Sequence, residues 1–579
     1  MKPIPYGLSG YKQIREDDCY YIDKTRYIPQ LEATGKFLFF IRPRRFGKSS
    51  WLTVLESYYD ISRSEQFDFF FKGTDIYDQP TSEKNAYLIL KFNFSAVNPQ
   101  PDIVEDSFQG YTDNCFYFFG MKYRAWLDDD YFTMMERQKT PHQKLRFLLN
   151  YVGLKGHRVY VLIDEYDNFA NTILTTSGQT AYQNLTHGAG FFRFFFNVLK
   201  EAVDQVDSGI SRMFITGVSP VTMDDVTSGF NIGKNISLYA EFNELLGFTE
   251  QDVIDILKHY NINSAETLTL MREWYDNYRF SIETKQTMFN TDMVLYFVEH
   301  FLRLSRPPND MIDQNVKIDY GKLRYLVVLD KRLNGNFSHI AEIVKTQGTQ
   351  ATRVVPSFPV EDLIKSENFI SLLFYFGLLS YSETNRLTIP NQTIKQLMYS
   401  YLRRGYQDVD VFNVDIWRLS NLVQDMAYQG EWRPVFQFLA DEVEKQTSIR
   451  DYLTGEKVIQ TFLLAYLSVT DYFIIRTEEE LGKGFVDLYM EPFLAKYDHL
   501  QYSYLIELKY LTRTEFTEEK LKEKLNKAKT QLNQYATDTR IIKRSRGGQI
   551  IKVALAFSGW ELKAIESVEE TPSRRNYTS

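Results

Sequence analysis

The segment that most restricts how this chain can fold is KFLFFIRPRRFGKSSWLTVLESYYD, residues 36–60. KFLFFI has the apolar, aromatic character of a buried strand, and after Lys48 the chain places Trp51, Leu52, Leu55, Tyr58 and Tyr59 at helical spacing. Between the two lies RPRRFG. A Gly-Lys-Ser that leaves a strand and opens a helix can gather successive backbone N–H groups into a nest for phosphate, with the positive end of the helix behind it and a lysine for the outer oxygens. The full pattern G-x-x-x-x-G-K-[ST] needs glycine at position 42, where this chain has Arg42, followed by Pro43, which has no N–H to offer.

Further short apolar runs at 86–94, 158–166 and 211–218 read as buried strands, separated by helical stretches that include 142–154 and 191–203. Such alternation predicts a parallel sheet covered on both faces, so residues 1–250 are expected to be one α/β unit of the P-loop NTPase type. The partner of a phosphate loop is a strand that ends in carboxylates, and VYVLIDEYD supplies Asp164 and Glu165. The expected roles are Lys48 on the outer phosphates of ATP, the Ser49 hydroxyl and Asp164 on Mg²⁺, and Glu165 on the attacking water. Arg44, Arg45, Phe46, Gly47 and Ser50 complete the loop around the nucleotide. Thr216, at the end of FITG, is the expected polar sensor of the γ-phosphate.

After Gly247 the pattern becomes mostly helical, with Thr249 as the N-cap of a helix rich in carboxylates in its first turn. Residues 251–300 read as a helical lid and 301–440 as a helical linker region. Within the linker, LLSY, SETN and RLTIPN form a hairpin with Asn391 placed to cap the next helix, a winged-helix-like arrangement. From 441 to 565 a second α/β module is predicted, with a helix at 452–468, strands at 485–490 and 504–510, a helix at 517–537 and a strand at 552–558. The tail, 566–579, reads as disordered.

That second module carries its own constellation. Metal-dependent phosphodiester cleavage needs two carboxylates on one hard cation and a group that helps its water become hydroxide. Glu507 and Lys509 lie two apart on one strand and so share a face, and 19 residues separate Asp487 from Glu507, enough for a hairpin to bring the two together. The arrangement resembles the PD-(D/E)XK nuclease core, and that resemblance implies a cation, Mg²⁺ or Mn²⁺, held by Asp487, Glu507 and the Leu508 carbonyl. A surface ion pair between Glu507 and Lys509 is the plainer alternative.

Composition limits the rest. The net charge of −8 excludes a generally basic nucleic-acid coat, yet between Lys509 and Lys552 there are twelve Lys or Arg against five Asp or Glu. DNA phosphate would meet such a patch, although a solvated helix face produces the same count. Two cysteines, Cys19 and Cys115, cannot form a disulfide framework or a four-ligand zinc site. FFRFFF at 191–196 reads as core helix. No apolar run is long enough to span a bilayer and the first residues lack a signal-peptide core, so a cytoplasmic protein without membrane contact is expected.

In order, YGLSGYKQI, YYIDKTRYIPQLE, RPRRFGKS, LIDEYDNF, ITGVSPV, LLGFTEQDV and WYDNYRF resemble the bacterial AAA-ATPase-like family whose members carry a C-terminal PD-(D/E)XK nuclease-like domain. The resemblance carries Lys48, Ser49, Asp164 and Glu165 over to matching positions, and it makes the arginine-rich loop the usual form. In the second module, Asp487 with Glu507 and Lys509 resembles the PD-(D/E)XK core. Glu456 before it, with Gln531 and Tyr535 one turn apart on the following helix, resembles the RecB-type variant. The resemblance implies an ATP-regulated, Mg²⁺-dependent DNA nuclease with a role in defence against foreign DNA, and a homo-oligomer in which a neighbour's arginine completes the ATP site. The alternative is a nucleotide-switched protein that binds DNA or a partner through an inactive nuclease-like module.

Overall fold

A computed structural model describes residues 1–205, 208–227, 233–262, 265–321, 328–329, 332–333, 335–408, 414–445, 456–481 and 484–568. The chain divides into two compact units, Met1–Leu323 with Ala351–Asn391, and Arg324–Gln350 with Gln392–Ser579.

The first unit is built on a five-stranded sheet of β1 (Phe37–Ile41), β2 (Leu88–Asn93), β3 (Val159–Asp164), β4 (Ile210–Gly217) and β5 (Lys234–Asn235). Their order is β2-β3-β4-β1-β5, and every pairing is parallel. A parallel sheet is wrapped by its crossover helices, and all six residues of β3 are buried accordingly. β1 to β4 lie inside the predicted runs, except that β4 begins one residue earlier, and β5 lies in none of them. The run at 158–166 stops short at Asp164 because Glu165 takes a left-handed conformation with φ +47°.

Helix α1 (Lys48–Tyr59) follows β1 directly, α2 (Asn168–Thr186, broken at Gly178 with φ +84°) and α3 (Phe191–Asp204) lie between β3 and β4, and α4 (Pro220–Thr227) follows β4. FFRFFF is core, as its pattern predicts: Phe192 and Phe195 are buried against Phe92, Phe94, Phe108 and Phe169, and Phe196 is buried against Phe192 and Phe195. Each such ring contributes roughly 2 kcal/mol by leaving water. Beyond the sheet, α5 (Glu250–His259) opens with Thr249, whose hydroxyl accepts from the Asp252 amide while Asp252 accepts from the Thr249 amide. α6 (Thr291–Leu304) is capped in the same sense by Asn290.

The middle of the chain is mostly helical, and its residues are shared between the units. The predicted hairpin forms between Ser380–Tyr381 and Leu387–Thr388. It is fastened within the first unit by Arg279, whose amide donates to Ser380 Oγ and whose guanidinium donates to Ser382 O and Asn385 Oδ1. The helix that follows, Gln392–Asp408, belongs to the second unit, so the winged-helix-like grouping is divided between them. Asn391 donates its side-chain amide to the Asp276 carbonyl.

The second unit takes α7 (Gly335–Thr346) from the middle of the chain, then α8 (Glu456–Leu467), β6 (Phe473–Leu481), β7 (Gly484–Pro492), β8 (Tyr502–Leu511), α9 (Glu518–Tyr535), β9 (Gln549–Ser558) and β10 (Glu561–Ser567). The sheet order is β6-β7-β8-β9-β10, parallel only between β8 and β9, where α9 makes the crossover. Leu521, Leu525, Ala528 and Leu532 of α9 are buried on this sheet. Lys520, Lys522, Lys524 and Lys527 are exposed, while Lys529 pairs with Glu566. The two edge strands were not anticipated, because RTEEEL in β6 and ELKAIES in β10 are too polar to read as buried strands. Of the tail expected to be disordered, Glu566 and Ser567 complete β10, and 569–579 lies outside the described residues.

Candidate functional sites

In the first unit, β4 lies between β1 and β3, which brings the end of β1 and the acidic end of β3 to one edge of the sheet. Gly47 turns the loop at φ +89° and Arg45 at φ +70°. The Lys48 ammonium donates to the Arg42 and Pro43 carbonyls at 3.0 and 2.8 Å, inside the curl of the loop. Burial pulls its pKa down to about 8, against the pull of Asp164 and Glu165. Asp164 is buried, which raises its pKa, and the hydrogen bond from Ser49 opposes that rise. Glu165 accepts from the Asn168 amide at 2.5 Å.

Arg42 does not face this site. Its guanidinium lies between the rings of Phe40 and Phe280, 4.2 and 4.3 Å from their centroids. It donates to the carbonyls of Ile41, Ser237 and Phe242. The residue in place of the first glycine is therefore a buried strut behind the loop. Phe46 is also an anchor, with its ring 1% exposed and edge-on to Tyr278 and Phe280. At the start of α6, its cap Asn290 donates to Arg44 O, Thr291 donates to Phe46 O, and Asp292 pairs with Arg45 at 3.5 Å. The distant WYDNYRF segment thus recurs beside the loop because Tyr278 and Phe280 hold it in shape.

The loop opens onto a cavity of about 530 Å³. Arg44 to Ser50 and Glu165 line its polar side, while Tyr20, Ile22, Leu246, Phe248 and Ile256 line an apolar side. Residues from YGLSGYKQI, YYIDKT and LLGFTEQDV converge here, a role that their spacing could not disclose.

Thr216 is not part of that lining, and its hydroxyl donates to the Phe40 carbonyl at 2.8 Å within the sheet. The group held at this strand end is instead Asp167, a buried carboxylate that accepts from the Val218 and Ser219 amides. Gly217 permits the approach, since a Cβ there would stand 2.4 Å from Asp167 Oδ1. LIDEYD displays this third carboxylate two residues after Glu165, but spacing alone gives it no role distinct from the DE pair.

In the second unit, β7 and β8 pair only over Leu488–Met490 and Tyr504–Ile506, and past that point they part. Asp487 enters the fork. Its Oδ2 accepts from the Leu508 amide at 2.7 Å, which puts the Leu508 carbonyl on the same edge of β8. Lys509 Nζ stands 2.6 Å from Glu507 Oε2, and Glu507 is 1% exposed. This is an ion pair, but a buried one, so the surface-pair alternative does not describe it. Glu507 Oε1 is buried with no hydrogen-bond partner in the structure. Burial first, then the Asp487 carboxylate, pushes the Glu507 pKa up to about 7, and Asp487 is raised as well. Two crowded carboxylates, one with an idle oxygen, fit a divalent cation in both charge and donor type.

Glu456, at the start of α8, is raised by desolvation and then by Asp487. Lys345 of α7 opposes this at both Glu456 and Asp487. That lysine was missed, because its segment read as linker. On α9, Gln531 donates to the Tyr535 hydroxyl, and Tyr535 donates to the Phe485 carbonyl two residues before Asp487. Both residues therefore support β7 where it leaves β8.

Two family models match this chain: Predicted AAA-ATPase over residues 5–227 and PD-(D/E)XK nuclease superfamily over 454–567. The chain joins an AAA-ATPase-like region to a PD-(D/E)XK nuclease-superfamily region. The first match contains the loop and the acidic strand of the AAA-ATPase-like region, and the second contains Asp487, Glu507 and Lys509. An uncharacterized protein in the vnfD 5' region of Azotobacter chroococcum mcd 1 is 26% identical over 305 residues, 52% of this chain and 53% of that protein. The chain thus spans about half the length of this curated relative. The crystal structure of Cdc6p from Pyrobaculum aerophilum matches 69% of this chain and 96% of its own at 11% identity, with a TM-score of 0.23, too low to bear on the fold. Among the described residues, no helix is long and apolar enough to cross a membrane.

Proposed function

We propose that this protein is a DNA nuclease dependent on Mg²⁺, or on Mn²⁺ in its place, whose cutting is governed by ATP bound and hydrolysed in the first unit. The observation that carries the reading is the fork between β7 and β8, where Asp487, Glu507 and Lys509 meet and Glu507 keeps a buried oxygen idle. Asp487, Glu507 and the Leu508 carbonyl would hold the cation. When bound, it supplies a water of lowered pKa and positive charge for the phosphodiester. Lys509 holds Glu507 in place and keeps a cation beside the reacting phosphate, and Lys345 with the exposed lysines of α9 attracts the DNA backbone.

In the first unit, Lys48 and the loop amides would take the phosphates of ATP, Ser49 and Asp164 its Mg²⁺, and Glu165, steadied by Asn168, the attacking water. Control by nucleotide is supported by connectivity: the chain leaves the first unit near 323, returns near 351 and leaves again at 391. The first of these excursions carries Lys345. Assembly into a homo-oligomer and a role in a bacterial cytoplasm against foreign DNA complete the proposal.

Plasmid and linear DNA incubated with Mg²⁺ or Mn²⁺, with and without ATP, test it. Wild type should degrade DNA, Asp487→Ala should not, and Lys48→Ala should lose the response to ATP. Equal degradation by wild type and Asp487→Ala would overturn the nuclease assignment, and an unchanged ATP response in Lys48→Ala would overturn nucleotide control.

A further inference from the structure

Apart from the residues of both sites, His187, Asp225 and Glu361 bring three ligand atoms within 4.8 Å of one another. His187 follows the last residue of α2, Asp225 lies on α4, and Glu361 stands in the short turn Val360–Ile364, all in the first unit. His187 Nε2 is 3.6 Å from Asp225 Oδ1 and 3.4 Å from Glu361 Oε1. A tetrahedral ion with bonds of about 2.1 Å has edges of about 3.4 Å, so the two spacings from the histidine are those of ligands around one small cation.

A histidinium between two carboxylates would give similar distances; in either case the atoms of His187 and Asp225 that face away from the cluster are engaged, while Glu361 uses one oxygen for both His187 and Gln183. His187 Nδ1 meets Thr186 Oγ1 at 2.9 Å, which turns Nε2 toward the carboxylates. Asp225 Oδ2 accepts from the Tyr182 hydroxyl at 2.7 Å, which leaves Oδ1 on the side of the histidine. Burial holds the Tyr182 phenol far above its usual pKa, so it remains a donor. Glu361 Oε1 also accepts from the Gln183 side-chain amide. Hydrogen bonds that orient a ligating imidazole and carboxylate in this way are what metal sites use around their ligands. The Asp225 side chain is 1% exposed, whereas those of His187 and Glu361 are 36% and 44% exposed, so one side stays open for entry and for a water.

We propose that His187, Asp225 and Glu361 bind one zinc-class divalent ion, with water as the fourth ligand. Imidazole with two carboxylates suits such an ion better than the hard cation expected at Asp487 and Glu507. α2 begins just after the acidic pair of the ATP site and α4 just after β4. The ion would therefore tie the segment of α2 beyond its break at Gly178, and the end of α4, to the turn at Val360–Ile364 and stabilise the first unit whether or not DNA is cut.

Full-length protein stripped of metal and titrated with Co²⁺ alone provides the test. Asp487→Ala serves as a second background, so that the nuclease site cannot supply the signal. One equivalent should give the visible bands of tetrahedral Co²⁺, persist in Asp487→Ala and be displaced by Zn²⁺. The bands should vanish in His187→Ala, and Zn²⁺ should raise the unfolding temperature of wild type but not of that variant. Glu361→Gln, a change at an exposed position, should fold normally and weaken Zn²⁺ binding by about tenfold or more. Absence of tetrahedral bands in wild type, or bands and Zn²⁺ affinity unchanged in both His187→Ala and Glu361→Gln, would establish the cluster as an ion pair and overturn the site.

Discussion

The guanidinium of Arg42 lies 4.3 Å from the ring centroid of Phe280, residues separated by most of the first unit's sequence. The contact explains why a phosphate loop can open with arginine. A glycine at this position serves a loop that needs freedom there. In this chain the loop's curvature is set by Gly47 and Arg45, and the side chain at 42 is turned away to join three carbonyls and two rings. Lys48 then uses the carbonyls of Arg42 and Pro43 as acceptors, so the missing N–H of Pro43 is offset by what its carbonyl does.

Restoring the general pattern should therefore harm the protein. Arg42→Gly orphans the Ser237 and Phe242 carbonyls and removes the stack, a loss of about 3–5 kcal/mol. Arg42→Lys should recover only part of it, because an ammonium lacks the planar fork that reaches both carbonyls. Thermal unfolding together with ATP titration measures both effects. A glycine variant as stable as wild type with tighter ATP binding would contradict this account.

The Glu507 carboxyl leads to a pH prediction with two opposite signs. Its pKa is raised from 4.5 to about 7, so between these values the folded, metal-free protein holds more protons than the unfolded chain. Stability from this group is full below about 4.5 and is lost as pH rises through about 7. Metal binding needs the ionised form, so DNA cleavage should rise over the same range. Glu507→Gln mimics the neutral form. It should abolish cleavage and, in metal-free protein near pH 8, gain about 1–3 kcal/mol. A variant less stable than wild type under those conditions would reject the assignment of the raised group.

Lys48 titrates in the other sense. Burial lowers its pKa from 10.5 to about 8, so in that window the folded chain holds fewer protons than the unfolded one and stability rises with pH. The same contribution is lost as pH falls through about 8. Phosphate restores the charge, so ATP binding near pH 9 should take up a proton, and affinity should fall by up to about tenfold per pH unit. Calorimetry in buffers of different ionisation enthalpy reads this uptake directly. Binding heats that do not depend on the buffer would show that Lys48 is already charged.

The parts of this protein that depend on neighbours in sequence were determined by the sequence alone. Apolar runs gave four of the five strands of the first sheet, because a strand buried on both faces has no polar alternative. Gly47-Lys48-Ser49 and LIDE marked the two strand ends, and the two-residue spacing of Glu507 and Lys509 put them on one face of β8. The apolar stripe of Leu521, Leu525, Ala528 and Leu532 on α9 could be read for the same reason.

What lay beyond the sequence was decided by contacts between distant segments. The burial of Arg42 needs Phe280 and the Ser237 carbonyl. The commitment of Thr216 to the sheet needs the register of β4 on β1, and its replacement at the strand end by Asp167 needs Gly217 to lack a Cβ. The edge strands β6 and β10 are polar because one of their edges or faces meets water, so only pairing with β7 and β9 defines them. Asp487 and Glu507 could be named from sequence, but the fork that buries them, leaves one oxygen idle and raises their pKa values exists only where β7 and β8 stop pairing. Spacing along a chain fixes which side chains share a face; packing decides whether that face meets water, a carbonyl or another charge.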